Sequence, residues 1–161
     1  MQKRALVSVW RCAILGAEIG GICVENCFDR HLSDRELGEM SVLALAHLGD
    51  AVFELLARSR LCAHSNARVN ELHRRTVSLV SAGAQAKRME KMLPLLTERE
   101  LAWYKRGRNA HAHHDAPKNA SPGDYAMATG LECLFGVLFL TGETARANEL
   151  FVLTSEDDHG V

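Results

Sequence analysis

Apolar positions recur along this chain at helical spacing. The densest run is Val42 to Ala57, where His47, Asp50 and Glu54 are the only residues neither apolar nor Gly. With Arg58 they follow one another at intervals of 3, 4 and 4 residues, so all four share one helix face. The pattern predicts a helix over about 40–62. A second run, Asp124 to Thr141, carries Glu132 as the one acid or base between Asp124 and Glu143, and Gly142 follows it as a stop. Ser33 with Glu36 and Thr97 with Glu100 are capping-box pairs. The first opens a helix near residue 34; the second opens one that runs to about Arg106, with Gly107 as its stop. Asn66 caps a helix over 67–75, another covers 76–93 with Pro94 marking its end, and a last amphipathic helix covers 143–153. No stretch reads convincingly as a strand, so the fold class is all-α.

The organisation follows from these elements. Residues 1–34 form a poorly defined N-terminal extension, 35–154 the domain and 155–161 a polar tail. Lys3 and Arg4 precede an apolar stretch from Ala5 to Gly21, but Arg11 and Glu18 interrupt it and it is too short to span a bilayer. It reads as a loosely packed extension or as the product of a start codon placed too far upstream. No other stretch is read as membrane-spanning. Residues 107–123, GRNAHAHHDAPKNASPG, read as one long loop, and such loops in small domains usually carry function.

Length and composition, 161 residues with 47% hydrophobic, fit one soluble globular domain with a real core. The five cysteines, at 12, 23, 27, 62 and 133, include no CxxC pair and read as reduced cytoplasmic thiols. The net charge of −1 hides an asymmetry. Residues 58–118 hold 13 basic and 5 acidic side chains, and both flanking segments are acidic. A basic middle is the footprint of a phosphate-rich partner, or else a solvated Lys/Arg face.

The two apolar helices each carry an acid, Asp50 and Glu132. If the helices cross, the carboxylates meet, and converging carboxylates need a cation or a shared proton. Hard oxygen ligands select Mg2+ or Mn2+, and such an ion beside a basic face suggests phosphoryl chemistry. Gly49, Gly130 and Gly136 beside these acids permit close approach of the helices. In the plainer alternative Asp50 pairs with Arg58 or a backbone end, and Glu132 with a loop arginine.

Five segments, LALAHLGDAVFELLAR (43–58), ELHRRTVSLVSAGAQAK (71–87), GRNA (107–110), PKN (117–119) and YAMATGLECLFGVLFLTG (125–142), stand in an order and spacing that resembles Mini-ribonuclease III. This is the compact bacterial branch of the ribonuclease III superfamily that lacks a double-stranded-RNA-binding domain. The resemblance covers roughly residues 35–152. It implies a homodimeric, all-helical, magnesium-dependent endonuclease that cuts double-stranded RNA and matures large-subunit (23S) ribosomal RNA. It assigns the catalytic metal to Asp50 and Glu132. Full ribonuclease III enzymes have four acids per site; here the other two positions are Ala46 and Thr129. Glu54 and Thr129 are candidates for support around the metal. Arg74, Arg75, Lys87, Arg88, Lys105, Arg106, Arg108, Asn109 and Lys118 are candidates for RNA contact, with Arg108 and Asn109 nearest the scissile region. Phe53 is a candidate dimer contact or a core residue. Two rivals stand beside this reading: a catalytically silent RNA-binding or ribosome-assembly protein of the same fold, and an HD-type phosphohydrolase built on His114 and Asp115, with His111 and His113 nearby.

Overall fold

Both capping boxes form. Ser33 starts α1 (Asp34–Gly38), where its backbone N–H donates to Glu36 at 2.8 Å and its hydroxyl accepts from the Glu36 N–H. Thr97 does the same for α5 (Glu98–Asn109). The other helices are α2 (Val42–His64), α3 (Val69–Val80), α4 (Ala82–Met92), α6 (Pro122–Leu140) and α7 (Thr144–Leu153), with a 3-10 turn at Leu93–Leu95. The computed structural model describes residues 26–110 and 121–155, and among these there is no strand.

Two boundaries differ from the sequence expectation. The break between α3 and α4 falls at Ser81, not after Arg75. Nothing at 75–76 interrupts a helix: Thr76 is buried and its hydroxyl donates to the Leu72 carbonyl. Ser81 instead takes an extended backbone (ψ 148°) and serves both helices, donating to Val77 and accepting from Gln85. The second difference is Gly107, which does not stop α5. It lies inside the helix because a methyl there would come within 2.5 Å of Cys133 Cβ and 2.8 Å of the Thr129 carbonyl. Arg108 and Asn109 are therefore the last turn of a helix and not part of a loop.

Helix α6 is the centre. From Ala128 to Leu138 every residue except Glu132 is buried, and α2, α4, α5 and α7 pack around it. By length and apolarity α6 is able to cross a bilayer, contrary to the expectation that no stretch beyond the N-terminal one could; here 56% of its apolar window is buried, with α2, α4, α5 and α7 packed on it. Phe53 is fully buried and stacks edge-on against Phe135 and Phe151 at 5.1 and 5.2 Å, so it is a core residue and not a dimer contact.

The packed region begins before residue 35. The Leu32 N–H donates to the Leu140 carbonyl at 2.8 Å, and Phe28 meets the Phe139 ring edge-on. Arg99 then ties α1 to the start of α7, pairing with Asp34 and Glu143 at 2.7 Å each.

One crossing sets the site. A methyl at Gly49 would overlap the Glu132 carbonyl oxygen, and one at Gly136 would overlap the Leu45 carbonyl. Helices α2 and α6 thus touch backbone to backbone. We expect Gly136→Ala to destabilise the fold by about 1–3 kcal/mol or more in urea titration, because the overlap is with backbone that cannot step aside. Gly83→Ala, which meets nothing within 4 Å, is the control and is expected to be neutral or mildly stabilising.

Candidate active site

The buried face of α2 comprises Leu45, Ala46, Gly49, Phe53 and Ala57. The polar stripe lies on the other side, with His47, Asp50 and Arg58 exposed and Glu54 half-buried. Arg58 does not serve Asp50; its Nε donates to Glu54 at 2.9 Å. Asp50 follows Gly49, whose backbone touches that of Glu132, so the crossing places the two acids side by side.

Their titration reports this proximity. Glu132 is pushed up to about 7, first by burial and then by the negative charge of Asp50, with the Gln85 amide acting in the opposite direction. Asp50 is also raised, by partial burial and by Glu54, against the effect of His47. Burial raises both acids, and the charge of Asp50 raises Glu132 further, an arrangement a cation would relieve. The donor set is two carboxylates, and among the described residues no cluster of three or more His, Cys, Asp or Glu stands ready for a metal. This suits a hard ion that keeps most of its waters, such as Mg2+, and not a closed zinc site.

The remaining acid positions of a four-acid site are filled differently. Ala46 packs in the core, and Thr129 is buried with its hydroxyl donating to the Tyr125 carbonyl of its own helix. Glu54 holds Arg58, and its charge reaches Asp50.

Comparison with known proteins identifies the family. The Ribonuclease III domain family matches residues 43–143. A Mini-ribonuclease 3 from Symbiobacterium thermophilum is 46% identical over 108 residues, covering 67% of this chain and 82% of that protein. The chain belongs to the Mini-ribonuclease 3 family. A second member, from Desulfitobacterium hafniense, is 42% identical over 130 residues, covering 78% of this chain and 82% of its own length. A solved structure of a protein from Fusobacterium nucleatum shares the fold, with a TM-score of 0.69 at 24% identity over 76% of this chain and 98% of that one. As a Mini-ribonuclease 3 family member the chain is an endoribonuclease.

The expected RNA contacts divide. Lys87, Lys105, Arg106, Arg108 and Asn109 are exposed, and Arg106 stacks on the Trp103 ring at 4.1 Å. Arg74 and Arg75 both bind Glu71, which neutralises part of their charge. Arg88 is a correction. It is only 7% exposed, lies over the Phe151 ring at 4.8 Å, and donates to the Phe151 carbonyl and Ser155 hydroxyl. It fastens the end of α7 to the core, because helix spacing turns it inward with Gln85, Met89 and Met92. Lys118 and the 111–115 histidine cluster lie outside the described residues.

Sequence reasoning missed Gln85. Its side chain is 1% exposed, and its Nε2 has no hydrogen-bond partner among the described residues. It bears on Glu132 closely enough to lower its pKa. The available signal was a polar residue three and four positions before Arg88 and Met89, on the inward face.

The shifted acid predicts a pH effect. Between about pH 4.5 and 7 the folded chain keeps a proton on Glu132 that the unfolded chain has lost, so this group makes stability fall as pH rises through that window. Asp50 acts in the same direction. In EDTA, the melting temperature of Glu132→Gln minus that of wild type is expected to grow from pH 4.5 to 7. A difference independent of pH would count against the paired-acid site.

Proposed function

We propose that the chain cleaves double-stranded RNA with Mg2+, or Mn2+ in its place, held between Asp50 and Glu132, and that its substrate is a precursor of large-subunit (23S) ribosomal RNA. The observation that carries this reading is the convergence of the two carboxylates at the α2–α6 crossing. When bound, the ion supplies an activated water and polarises the phosphate. Asp50 and Glu132 hold it as a pair reaching from two helices, and Glu54 keeps Arg58 at the edge of the site. Lys87, Lys105, Arg106 and Arg108 offer phosphate contacts, and an A-form duplex read by shape and backbone needs few aromatic side chains.

A second copy completes the proposal. Leu55, Val69 and Val77 are 54%, 77% and 50% exposed on the paired helices α2 and α3, more apolar surface than solvent favours. A homodimer would cover it and set two sites on one duplex. The thiols of Cys27, Cys62 and Cys133 are unpaired, which suits the reducing cytoplasm.

Asp50→Asn and Glu132→Gln are expected each to lower kcat on a long RNA duplex by more than about a hundredfold, beyond what changes around a metal's ligands cost. Wild type that binds duplex and never cuts it with any divalent cation would leave the silent RNA-binding reading in its place. Preferential cutting of a 23S precursor fragment over an unrelated duplex tests the ribosomal assignment. Leu55→Glu is expected to shift the chain from dimer to monomer in light scattering, and a dimer that persists unchanged would remove α2 from the interface.

A further inference from the structure

Gln85 reaches the site from a third helix. It stands on the inward face of α4, which packs on α6, and is 1% exposed. Its backbone is fully used, since its N–H donates to the Ser81 carbonyl at 2.8 Å. Its Nε2 is enclosed and finds no hydrogen-bond partner among the described residues. A buried amide that makes no hydrogen bond is unfavourable unless a partner arrives in some working state of the protein. Gln85 faces α6, where Glu132 is the one residue between Ala128 and Leu138 that is not fully buried, and its amide lies near enough to that carboxylate to favour the ionised form.

We propose that Gln85 is the positioning residue for Glu132, its amide N–H2 donating to one carboxylate oxygen while the other faces the cation. The proposal rests on the metal-site reading above. An ionised carboxylate has about four lone-pair directions on two oxygens, so it serves a donor and a cation together. With its N–H2 turned to Glu132, the side chain acts as a donor to the carboxylate and not through Oε1 as a ligand. Its place is to hold one rotamer of Glu132. Without it, the carboxylate swings on a flexible stem, and the pair with Asp50 loses its fixed span. Three other polar side chains of the neighbouring helices are engaged elsewhere. Thr129 donates to Tyr125, Arg88 is committed to the end of α7, and Arg58 is held by Glu54.

The test uses the full chain and Mn2+ alone as probe, with binding read by the loss of the free-ion paramagnetic resonance signal. Gln85→Leu and Gln85→Met keep the volume and remove the donor. Both are expected to melt in EDTA at or above the wild-type temperature and to bind Mn2+ at least about tenfold more weakly. They are also expected to need correspondingly more Mg2+ for half-maximal cleavage, with KM for the RNA unchanged. A merely structural Gln85 predicts a lower melting temperature with unaltered Mn2+ affinity, and that result would overturn the proposal. If wild type and Glu132→Gln bind Mn2+ equally, the metal-site reading has failed first, and the Gln85 variants are then expected to match wild type.

Discussion

The contact on which the rest of this protein depends is the backbone-to-backbone crossing of α2 and α6. Gly49 and Gly136 leave no space for a side chain there. Helices that meet over ordinary side chains stand 8–10 Å apart, and acids at that interface would be separated or forced outward. Here the absent methyls bring two helices close enough that an acid on each shares one locality. The second close crossing, of α5 on α6 through Gly107 and Gly130, serves the same end. It seats the basic last turn of α5 against the central helix.

The site is built as an unfavourable pair. Glu132 is the one residue between Ala128 and Leu138 that is only half-buried, and that partial burial and the charge of Asp50 push it up to about 7. Such a pair does not stabilise the fold. In the proposed reading, a cation bound there, with loss of the Glu132 proton, relieves the pair. With two acids in place of four, the site offers fewer charged ligands, and a fully formed two-metal arrangement is not built here. The structure fills position 46 with core and position 129 with a hydroxyl bonded to its own helix.

The basic middle segment is less basic in space than in sequence. Arg99 binds Asp34 and Glu143, Arg74 and Arg75 share Glu71, and Arg88 is inside the core. Among the described residues, Arg68, Lys87, Lys91, Lys105, Arg106 and Arg108 face solvent, most of them on α4 and α5. A count of charges along a chain cannot separate those that hold a fold together from those left for a partner. That division is set by which acids the folded neighbours supply.

Much was legible in the chain because it is local. Capping boxes at Ser33 and Thr97, the 3.6-residue period of α2 and the isolated Glu132 on α6 depend only on near neighbours in sequence. They sufficed for the all-helical class and for naming the acid pair. The α3–α4 break was missed because Ser81 carries no strong stop signal, and Gly107 misled because a glycine for close packing and a glycine for termination look alike in sequence. Arg88 and Gln85 were misread or overlooked for one reason: on a short helix with mixed faces, only the helix packed against it decides which side is inward. The sequence by itself determined which residues could do the chemistry. Only the tertiary structure decided which of them meet, because meeting depends on the distance between helices, and that distance was set by the absence of side chains at the crossing.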